Sequence, residues 1–316
     1  MNGNRLIPGL VLLALIAPAR CGESQALVSP STGHQPYTLT VPVDEVSLTF
    51  RASDFQGRPI DDLTLSDLRL LDNGKRQHRI VSFEPYQNLP IRAGILFDTS
   101  RSMLHFLRQN QAITNLFATR LLRKETDQAF VMRFDFKAQV RQPWTNDAGA
   151  IAASLRTIAS DYASRLGGTA IFDALYTACR DQWSAASGAV TGNFILLFSD
   201  GLDNSSHARI RDVIDACQKA RTTIYVFSNE PKSRFSQGQK TLNELVKKSG
   251  GRIFFDSSEA AIWNDLQIME NDQRNQYRLV YKPSHLKLDG SFHEIKLDSP
   301  DRGGVIATRS GYYALR

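Results

Sequence analysis

Short runs of alternating apolar and polar residues occupy two stretches of the chain, residues 37–88 and residues 277–316. Alternation with a period of two is typical of strands that bury one face. In the first stretch an Asn-Gly dipeptide at 73–74 separates two apolar runs, and in the second an Asp-Gly dipeptide at 289–290 does so. Such dipeptides accept the positive φ angles of tight hairpins. Each stretch therefore predicts an antiparallel β unit with a hairpin turn.

The intervening residues 91–276 alternate apolar runs of strand length with segments of helical spacing. Ala93–Phe97 and Asn193–Phe198 are continuous apolar runs, as in central strands buried on both faces. Met103–Leu122 repeats apolar residues at helical spacing. The pattern predicts a doubly wound, mostly parallel α/β sheet inserted between the two β segments. The other predicted strands are 129–134, 138–140, 223–227 and 252–255, and the other predicted helices are 148–158, 171–186, 210–220, 239–248 and 258–275.

The sequence of the amino terminus predicts an export signal. A short positive start precedes the apolar run 6–17, which ends in small residues and is too short to span about 30 Å of hydrocarbon. These features predict a signal peptide and processing region at 1–26, followed by a polar linker at 27–36; the alternative is a buried helix of the mature fold. We expect an exported chain, periplasmic or extracellular, with no transmembrane helix.

Composition and motifs disfavour several classes of function. The chain has 38 Lys and Arg residues against 32 Asp and Glu residues, but the basic residues are scattered singly, which disfavours nucleic-acid binding. No phosphate-binding loop, nucleophile elbow or dinucleotide fingerprint is present. His105 and His207 could act as a general base in a metal hydrolase, or be ordinary surface histidines. We therefore expect no enzyme activity.

Carboxylate and hydroxyl side chains follow two of the apolar runs. Asp98, Ser100 and Ser102 come after the first, Asp200 comes after the second, and Thr169 precedes a predicted helix. Open α/β sheets place their sites at the carboxyl ends of the strands. Hard oxygen donors suit Mg²⁺, or Mn²⁺ or Ca²⁺. The alternative is that the two acids only cap helices through backbone N–H groups.

These five residues, in this order and spacing, resemble the metal-ion-dependent adhesion site of a von Willebrand factor type A (VWFA) domain. Residues 91–276 resemble that domain along their whole length. The flanking segments 55–59, 63–74 and 309–313 resemble the bacterial secreted VWFA-related family. The fold that this implies is a VWFA domain, Rossmann-like in its winding, flanked by a small antiparallel β-sandwich that the N- and C-terminal segments build together.

The resemblance also implies a ligand set and a function. Ser100, Ser102 and Thr169 would bind the metal directly, and Asp98 and Asp200 directly or through water. One coordination position would remain for an acidic residue of a protein partner. The implied function is a secreted or periplasmic, divalent-cation-dependent adhesion or interaction module. The alternatives are a scaffold or assembly module with a structural metal and, less favoured, a metal-dependent hydrolase.

Two further pairs of residues carry open predictions. Asp203 and Asp173 lie near the candidate ligands in sequence, as supporting residues of the metal site or as ordinary loop and helix-start acids. Cys179 and Cys217 lie in the predicted helices on either side of one buried strand. An exported chain can form a disulfide, so the two cysteines are either bonded or separately buried thiols.

Overall fold

A computed structural model describes residues 45–55, 58–161, 168–183, 190–228, 236–255 and 258–314. The predicted signal peptide, the linker and residues 37–44 of the first predicted β stretch lie outside these residues. Within the described ranges, none of the helices combines the length and the apolar character that crossing a membrane requires.

The secondary structure follows the predicted alternation of β and α/β regions. The strands are β1 (Val46–Ser53), β2 (Arg69–Asp72), β3 (Lys75–Arg76), β4 (Ile80–Tyr86), β5 (Ile91–Asp98), β6 (Gln128–Phe134), β7 (Ala138–Thr145), β8 (Gly192–Phe198), β9 (Thr222–Phe227), β10 (Ile253–Phe254), β11 (Gln276–Tyr281), β12 (Phe292–Asp298), β13 (Val305–Thr308) and β14 (Gly311–Tyr313). The α-helices are α1 (Leu107–Arg120), α2 (Ala148–Asp161), α3 (Ile171–Thr177), α4 (Ile210–Lys219), α5 (Gln237–Ser249) and α6 (Glu259–Arg274).

The central sheet has six strands in the order β10-β9-β8-β5-β6-β7. All neighbours are parallel except β6 and β7, which are antiparallel. Every residue of β8 is buried, because helices cover both faces of the sheet. Phe194 and Leu196 contribute to the core on one face, and Ile195 and Leu197 to the core on the other. Each such side chain contributes about 1.5–3 kcal/mol on burial. The predicted doubly wound, mostly parallel sheet is confirmed.

Strands from both ends of the described chain form two antiparallel sheets, in the orders β13-β1-β11-β4 and β14-β12-β2-β3. In the first sheet β1 pairs with β11, so that Leu48 lies opposite Leu279. Both side chains are fully buried, in one core shared with residues of the second sheet such as Leu70 and Ile295. The predicted flanking β-sandwich, built jointly by the N- and C-terminal segments, is confirmed.

The two predicted hairpin turns have different outcomes. Asn73 and Gly74 have φ angles of 48° and 74° and connect the antiparallel strands β2 and β3. The prediction of a hairpin at 289–290 is wrong. The strands before and after it, β11 and β12, lie in different sheets, and the Gly290 N–H donates to the carbonyl of Ala314, the residue after β14.

Two predicted helices are less regular than their apolar spacing indicates. The helix predicted at 103–122 begins as a 3-10 segment, Arg101–Phe106, and becomes α-helical at Leu107. The helix predicted at 171–186 is α-helical to Thr177 and continues as a π-helical turn, Ala178–Gln182. Side-chain periodicity does not distinguish these hydrogen-bonding patterns over a single turn.

The π-helical turn contains Cys179, which forms a disulfide with Cys217 of α4. Both cysteines are at most 2% exposed and belong to the same core on one face of the sheet. Of the two alternatives that the sequence leaves open, the structure contains the bond. It joins the helix before β8 to the helix after it.

Candidate metal centre

Three neighbouring parallel strands bring the candidate ligands to one edge of the central sheet. β5 lies between β8 and β6, and Phe97 of β5 is opposite Phe198 of β8. The residues that follow, Asp98 and Ser199, therefore lie side by side, and the Ser199 hydroxyl donates to Asp98 Oδ2 at 2.7 Å. The carboxyl ends of parallel strands thus assemble residues about 100 positions apart in the chain.

The last residue of β5 and the segment that follows it carry three of the five candidates. Asp98 Oδ1 accepts the backbone N–H of Ser100 at 2.9 Å, and the hydroxyls of Ser100 and Ser102 lie 3.1 Å apart. Thr99 donates both its N–H and its hydroxyl to the carbonyl of Phe134 at the end of β6. Asp98 and Ser100 are buried and Ser102 is exposed. The oxygens of this segment therefore extend from the buried interior, at Asp98, to the solvent-exposed surface, at Ser102.

Thr169 reaches the same edge through hydrogen bonds to the loop after β8. Its N–H donates to Asn204 Oδ1 at 2.7 Å, and its carbonyl accepts the N–H groups of Asn204 and Ser205. The next residue, Ala170, donates its N–H to the carbonyl of Asp135 at the β6–β7 turn. Gly168 allows this close approach, because a Cβ there would lie 1.8 Å from Ser205 Oγ and 2.5 Å from Asn204 Oδ1 and would displace both side chains.

Asp200 follows Ser199 directly, is 8% exposed and accepts the N–H of Leu202 at 3.0 Å through Oδ1. Asp98 and Asp200 thus each accept an N–H from the residue two positions on, as the capping alternative requires. That alternative accounts for one oxygen of each acid, and it leaves the gathered hydroxyls unexplained.

The electrostatics of Asp98 favour a nearby cation. The pKa of Asp98 is raised to about 7, chiefly by burial and to a smaller extent by the negative charge of Asp200, against the lowering effect of hydrogen bonds from Ser199 and Ser100. Holding this carboxylate ionised at the buried edge therefore costs free energy. A divalent cation would offset that cost, and the oxygens of two acids and three hydroxyls suit a hard cation. The residues present fit such an ion.

The donor set differs from a metal site built on acids and imidazoles alone. Across the part of the chain that the structure describes, no three residues among His, Cys, Asp and Glu are grouped so as to hold a metal. The candidate centre has two acids, and any ion there depends on the hydroxyls of Ser100, Ser102 and Thr169. Hydroxyl ligands leave the charge of a divalent cation incompletely neutralised, so it stays attractive to an outside carboxylate.

Asp203 and Asp173 join the start of α3 to the loop after β8. Asp203 accepts the hydroxyl of Ser206 at 2.6 Å and the N–H of Phe172 at 3.1 Å. Asp173 accepts the N–H groups of His207 and Ala208. Burial acts to raise the pKa of Asp173, but these hydrogen bonds hold it below its ordinary value. Both acids therefore act in fixing the loop that carries Asn204, the partner of Thr169.

Two residues outside the predicted ligand set prove central to the geometry. Ser199 is fully buried and contacts Asp98, and Asn204 ties Thr169 to the loop after Asp200. Ser199 could have been found from its position, since it follows β8 just where Asp98 ends β5. Asn204 has no such signal, because its contact depends on loop conformation. The two histidines considered as bases, His105 and His207, are exposed.

With this geometry described, the family can be assigned. The family model of the von Willebrand factor type A domain matches residues 94–267, more than half of the 316 residues. The chain belongs to that family. The matched range contains all five candidate ligands and runs from β5 into α6. Type A domains are for the most part interaction or structural modules and not enzymes, and an interaction module is the function class that membership supports.

Solved structures with similar folds come from several sources. The protein BatB from Bacteroides thetaiotaomicron has 19% identity and a TM-score of 0.46, covering 57% of this chain and 97% of its own. A proximal thread matrix protein from the mussel byssus, with a zinc-occupied MIDAS motif, has 15% identity and a TM-score of 0.44, covering 59% and 48%. The vWF domain of the pilus tip protein Mfa5 from Porphyromonas gingivalis has 21% identity and a TM-score of 0.31, covering 37% and 39%. No curated protein sequence matches the chain.

Proposed function

We propose that this type A domain protein binds a protein partner through a divalent cation held by Asp98, Ser100, Ser102, Thr169 and Asp200. The observation that carries the proposal is the meeting of three distant segments at one edge of the sheet. The Asp98–Ser199 and Thr169–Asn204 hydrogen bonds, 2.7 Å each, join them. A site used only for helix capping would not need candidate oxygen donors from three segments at the edge that holds a buried acid.

The proposed ion is Mg²⁺, with Mn²⁺ or Ca²⁺ able to replace it, because the donors are all hard oxygens. Bound there, the cation would supply a Lewis-acidic position toward solvent. Exposed Ser102 lies at the outer end of the donor set and buried Asp98 at the inner end. A carboxylate from an Asp or Glu of the partner is the ligand proposed for the outer position.

The proposal extends to organisation and location. We propose a signal peptide at 1–26, a linker at 27–36, a type A domain at 91–276 and a host β unit built from 37–88 and 277–316. β1 pairs with β11 and β13, although the central domain separates them in the sequence. This pairing supports the division. Export to the periplasm or the exterior rests on the amino-terminal pattern, and a disulfide agrees with an oxidising compartment.

A scaffold module with a structural metal is the second candidate function. The observation favouring it is the dense hydrogen bonding around the site, in which Thr99, Asn204 and Asp203 already fix the loops. A metal-dependent hydrolase is less favoured, because neither exposed histidine contacts the candidate ligands. His207 instead lies 3.1 Å from Asp173.

Calorimetric titration of the purified mature chain with MgCl₂ tests the proposed function. Wild type should bind one equivalent, and Asp98→Asn should bind none. Glu294→Gln is the control, because Glu294 is an exposed acid on β12, outside the central sheet. A wild-type titration indistinguishable from buffer, or equal binding by Asp98→Asn, would contradict the proposal. Partner capture with and without EDTA then separates a metal-using binder from a scaffold.

A further inference from the structure

Three of the exposed large apolar side chains lie on segments that carry the candidate ligands or are hydrogen-bonded to them. Leu104 is 46% exposed, Phe136 is 51% exposed and Leu202 is 46% exposed. Exposed apolar residues are ordinary when scattered singly, but a group at one site indicates contact with a partner. We call these three side chains the apolar rim.

The topology of the sheet brings the apolar rim together. Leu104 follows β5, Phe136 follows β6 and Leu202 follows β8, and these three strands are adjacent with β5 in the middle. Adjacent strands lie about 4.8 Å apart. The rim residues therefore come from the same end of three consecutive strands, which is the end that carries the candidate ligands.

One rim residue bonds directly to a candidate ligand, and the other two lie near candidate ligands in sequence or through neighbouring backbone bonds. Leu202 donates its N–H to the carboxylate of Asp200 at 3.0 Å. Leu104 follows Ser102 by two residues within one 3-10 segment. Phe136 lies at the β6–β7 turn, whose flanking carbonyls accept N–H groups from the two metal loops, at Thr99 and at Ala170.

The turn that carries Phe136 is built on a buried ion pair. Arg133 and Asp135 are each 2% exposed and their side chains lie 3.1 Å apart. Asp135 also accepts the N–H of Lys137. A buried, hydrogen-bonded pair of this kind fixes the turn, so that Phe136 is exposed because the backbone holds it outward.

The most exposed charged side chains on the same segments are all basic. Every acid in residues 98–107, 134–139, 168–173 and 199–209 is buried or half-buried. The charged side chains that are exposed there are basic, namely Arg101, Lys137 and Arg209. The ammonium of Lys137 lies 5.8 Å from the ring centre of Phe136, so positive charge and apolar surface coincide. Such a surface complements an acidic segment.

We propose that the apolar rim is the specificity surface of this site, and that its partner is a protein segment in which an Asp or Glu is directly flanked by large apolar side chains. The carboxylate would meet the metal centre and the flanking side chains would cover Leu104, Phe136 and Leu202. This inference rests on the proposed function, since the rim selects among acidic partners only if the centre takes a carboxylate.

The test is a selection from a phage-displayed library of random dodecapeptides, in MgCl₂ with elution by EDTA. The expected enriched peptides contain an acidic residue with Leu, Ile, Phe or Met immediately beside it. The affinity of one enriched peptide is then measured by calorimetry for wild type and for a triple variant, Leu104→Ser with Phe136→Ser and Leu202→Ser. We expect at least a tenfold loss, because exposed apolar contacts at the centre of an interface carry much of its binding.

The matched control removes equivalent exposed side chains elsewhere, with Leu65→Ser, Phe55→Ser and Leu288→Ser in one chain. These residues are 42%, 80% and 42% exposed and lie outside the central sheet. The control should keep the peptide affinity within twofold. Both triple variants should bind Mg²⁺ alone as wild type does, which also shows that they fold.

Each outcome has a separate meaning. Wild type that fails to bind Mg²⁺ alone overturns the proposed function and this inference with it. Wild type that binds Mg²⁺ but enriches no peptide over the EDTA background, or enriches acidic peptides without apolar neighbours, overturns the inference alone. So does a rim variant that keeps its affinity for the enriched peptide, or a control variant that loses as much.

Discussion

Two buried aspartates at opposite edges of the central sheet show how differently one residue type can be used. Asp98 lies at the carboxyl end of β5 and Asp127 lies just before the amino end of β6, and each is 1% exposed. Asp127 forms an ion pair with Arg274 at 2.7 Å and accepts the N–H groups of Ile91 and Arg123. The described contacts of Asp98 are instead with hydroxyl and backbone N–H groups.

The protonation equilibria reflect this difference. Burial acts to raise the pKa of both acids. At Asp127 the guanidinium of Arg274 and the backbone N–H groups reverse that effect and hold the pKa below its ordinary value. At Asp98 burial prevails and the pKa is about 7. The edge with Asp127 has a counter-charge within the fold, the guanidinium of Arg274. The edge with Asp98 is suited to bind a cation from solvent.

Breaking the Asp127–Arg274 pair should produce the largest loss of stability. Arg274→Met leaves a buried carboxylate without its counter-charge and also removes donors to the carbonyls of Leu89 and Leu121. We expect urea unfolding to show a loss of about 3–5 kcal/mol. The control is Arg278→Met, because Arg278 forms a partly exposed pair with Glu84 at 4.0 Å, and such pairs contribute less than about 1 kcal/mol. Equal losses in the two variants would contradict the account of this edge.

Removing the disulfide should lower stability without affecting the candidate metal centre. Cys179 and Cys217 are 38 residues apart, a loop whose closure contributes about 3–4 kcal/mol by restricting the unfolded chain. The double variant Cys179→Ala with Cys217→Ala should unfold at lower urea yet bind Mg²⁺ as wild type does. Loss of Mg²⁺ binding in this variant, while it remains folded, would show that the site depends on this face of the sheet.

The two edges should respond to pH in opposite directions. Because the pKa of Asp98 is raised in the folded state, its contribution is complete below the unfolded value of about 3.9 and is lost as pH rises through about 7. In EDTA, the unfolding free energy of wild type should fall between pH 5 and pH 8 by on the order of 2 kcal/mol relative to Asp98→Asn. Mg²⁺ should remove that difference by stabilising the carboxylate.

The lowered pKa of Asp127 has the reverse effect. Its contribution is present above about pH 4 and is lost only as pH falls through the folded value, so it should not change stability between pH 5 and pH 8. Chemical denaturation in EDTA over that range measures both effects. A flat profile that Asp98→Asn does not change would contradict the account of Asp98.

Replacing Ser199 should have the smallest effect of the series. Its hydroxyl donates to Asp98 and accepts the N–H of Gly201. Ser199→Ala should cost about 1–2 kcal/mol of stability and weaken Mg²⁺ binding by less than tenfold, because the oxygens of the other residues remain. Thr119→Ala is the control, since the Thr119 hydroxyl bonds only within the exposed face of α1. If Ser199→Ala changes neither the stability nor the Mg²⁺ affinity, Ser199 has no role in the site.

The doubly wound, mostly parallel class of the sheet could be predicted and the candidate ligands could be proposed from the sequence, because local patterns encode both, whereas the order of the strands could not. An apolar run followed by Asp98 specifies a central strand and places its carboxylate at the ligand-bearing edge. The contacts that hold the edges together could not be predicted. Arg274 and Asp127 are 147 residues apart, and nothing in either local sequence indicates the other. Similarly, Asn204 reaches Thr169 only because Gly168 permits the close approach of two loops.

Paramagnetic broadening by Mn²⁺ tests the central claim most directly. Sub-stoichiometric MnCl₂ added to ¹⁵N-labelled protein should selectively broaden the amide signals of residues 98–102, 169–170 and 199–202, and MgCl₂ should restore them by competition. Signals around Asp127 and Arg274, at the opposite edge, should stay sharp. Broadening centred anywhere else, or none at all, would contradict a metal centre at the carboxyl edge of the sheet.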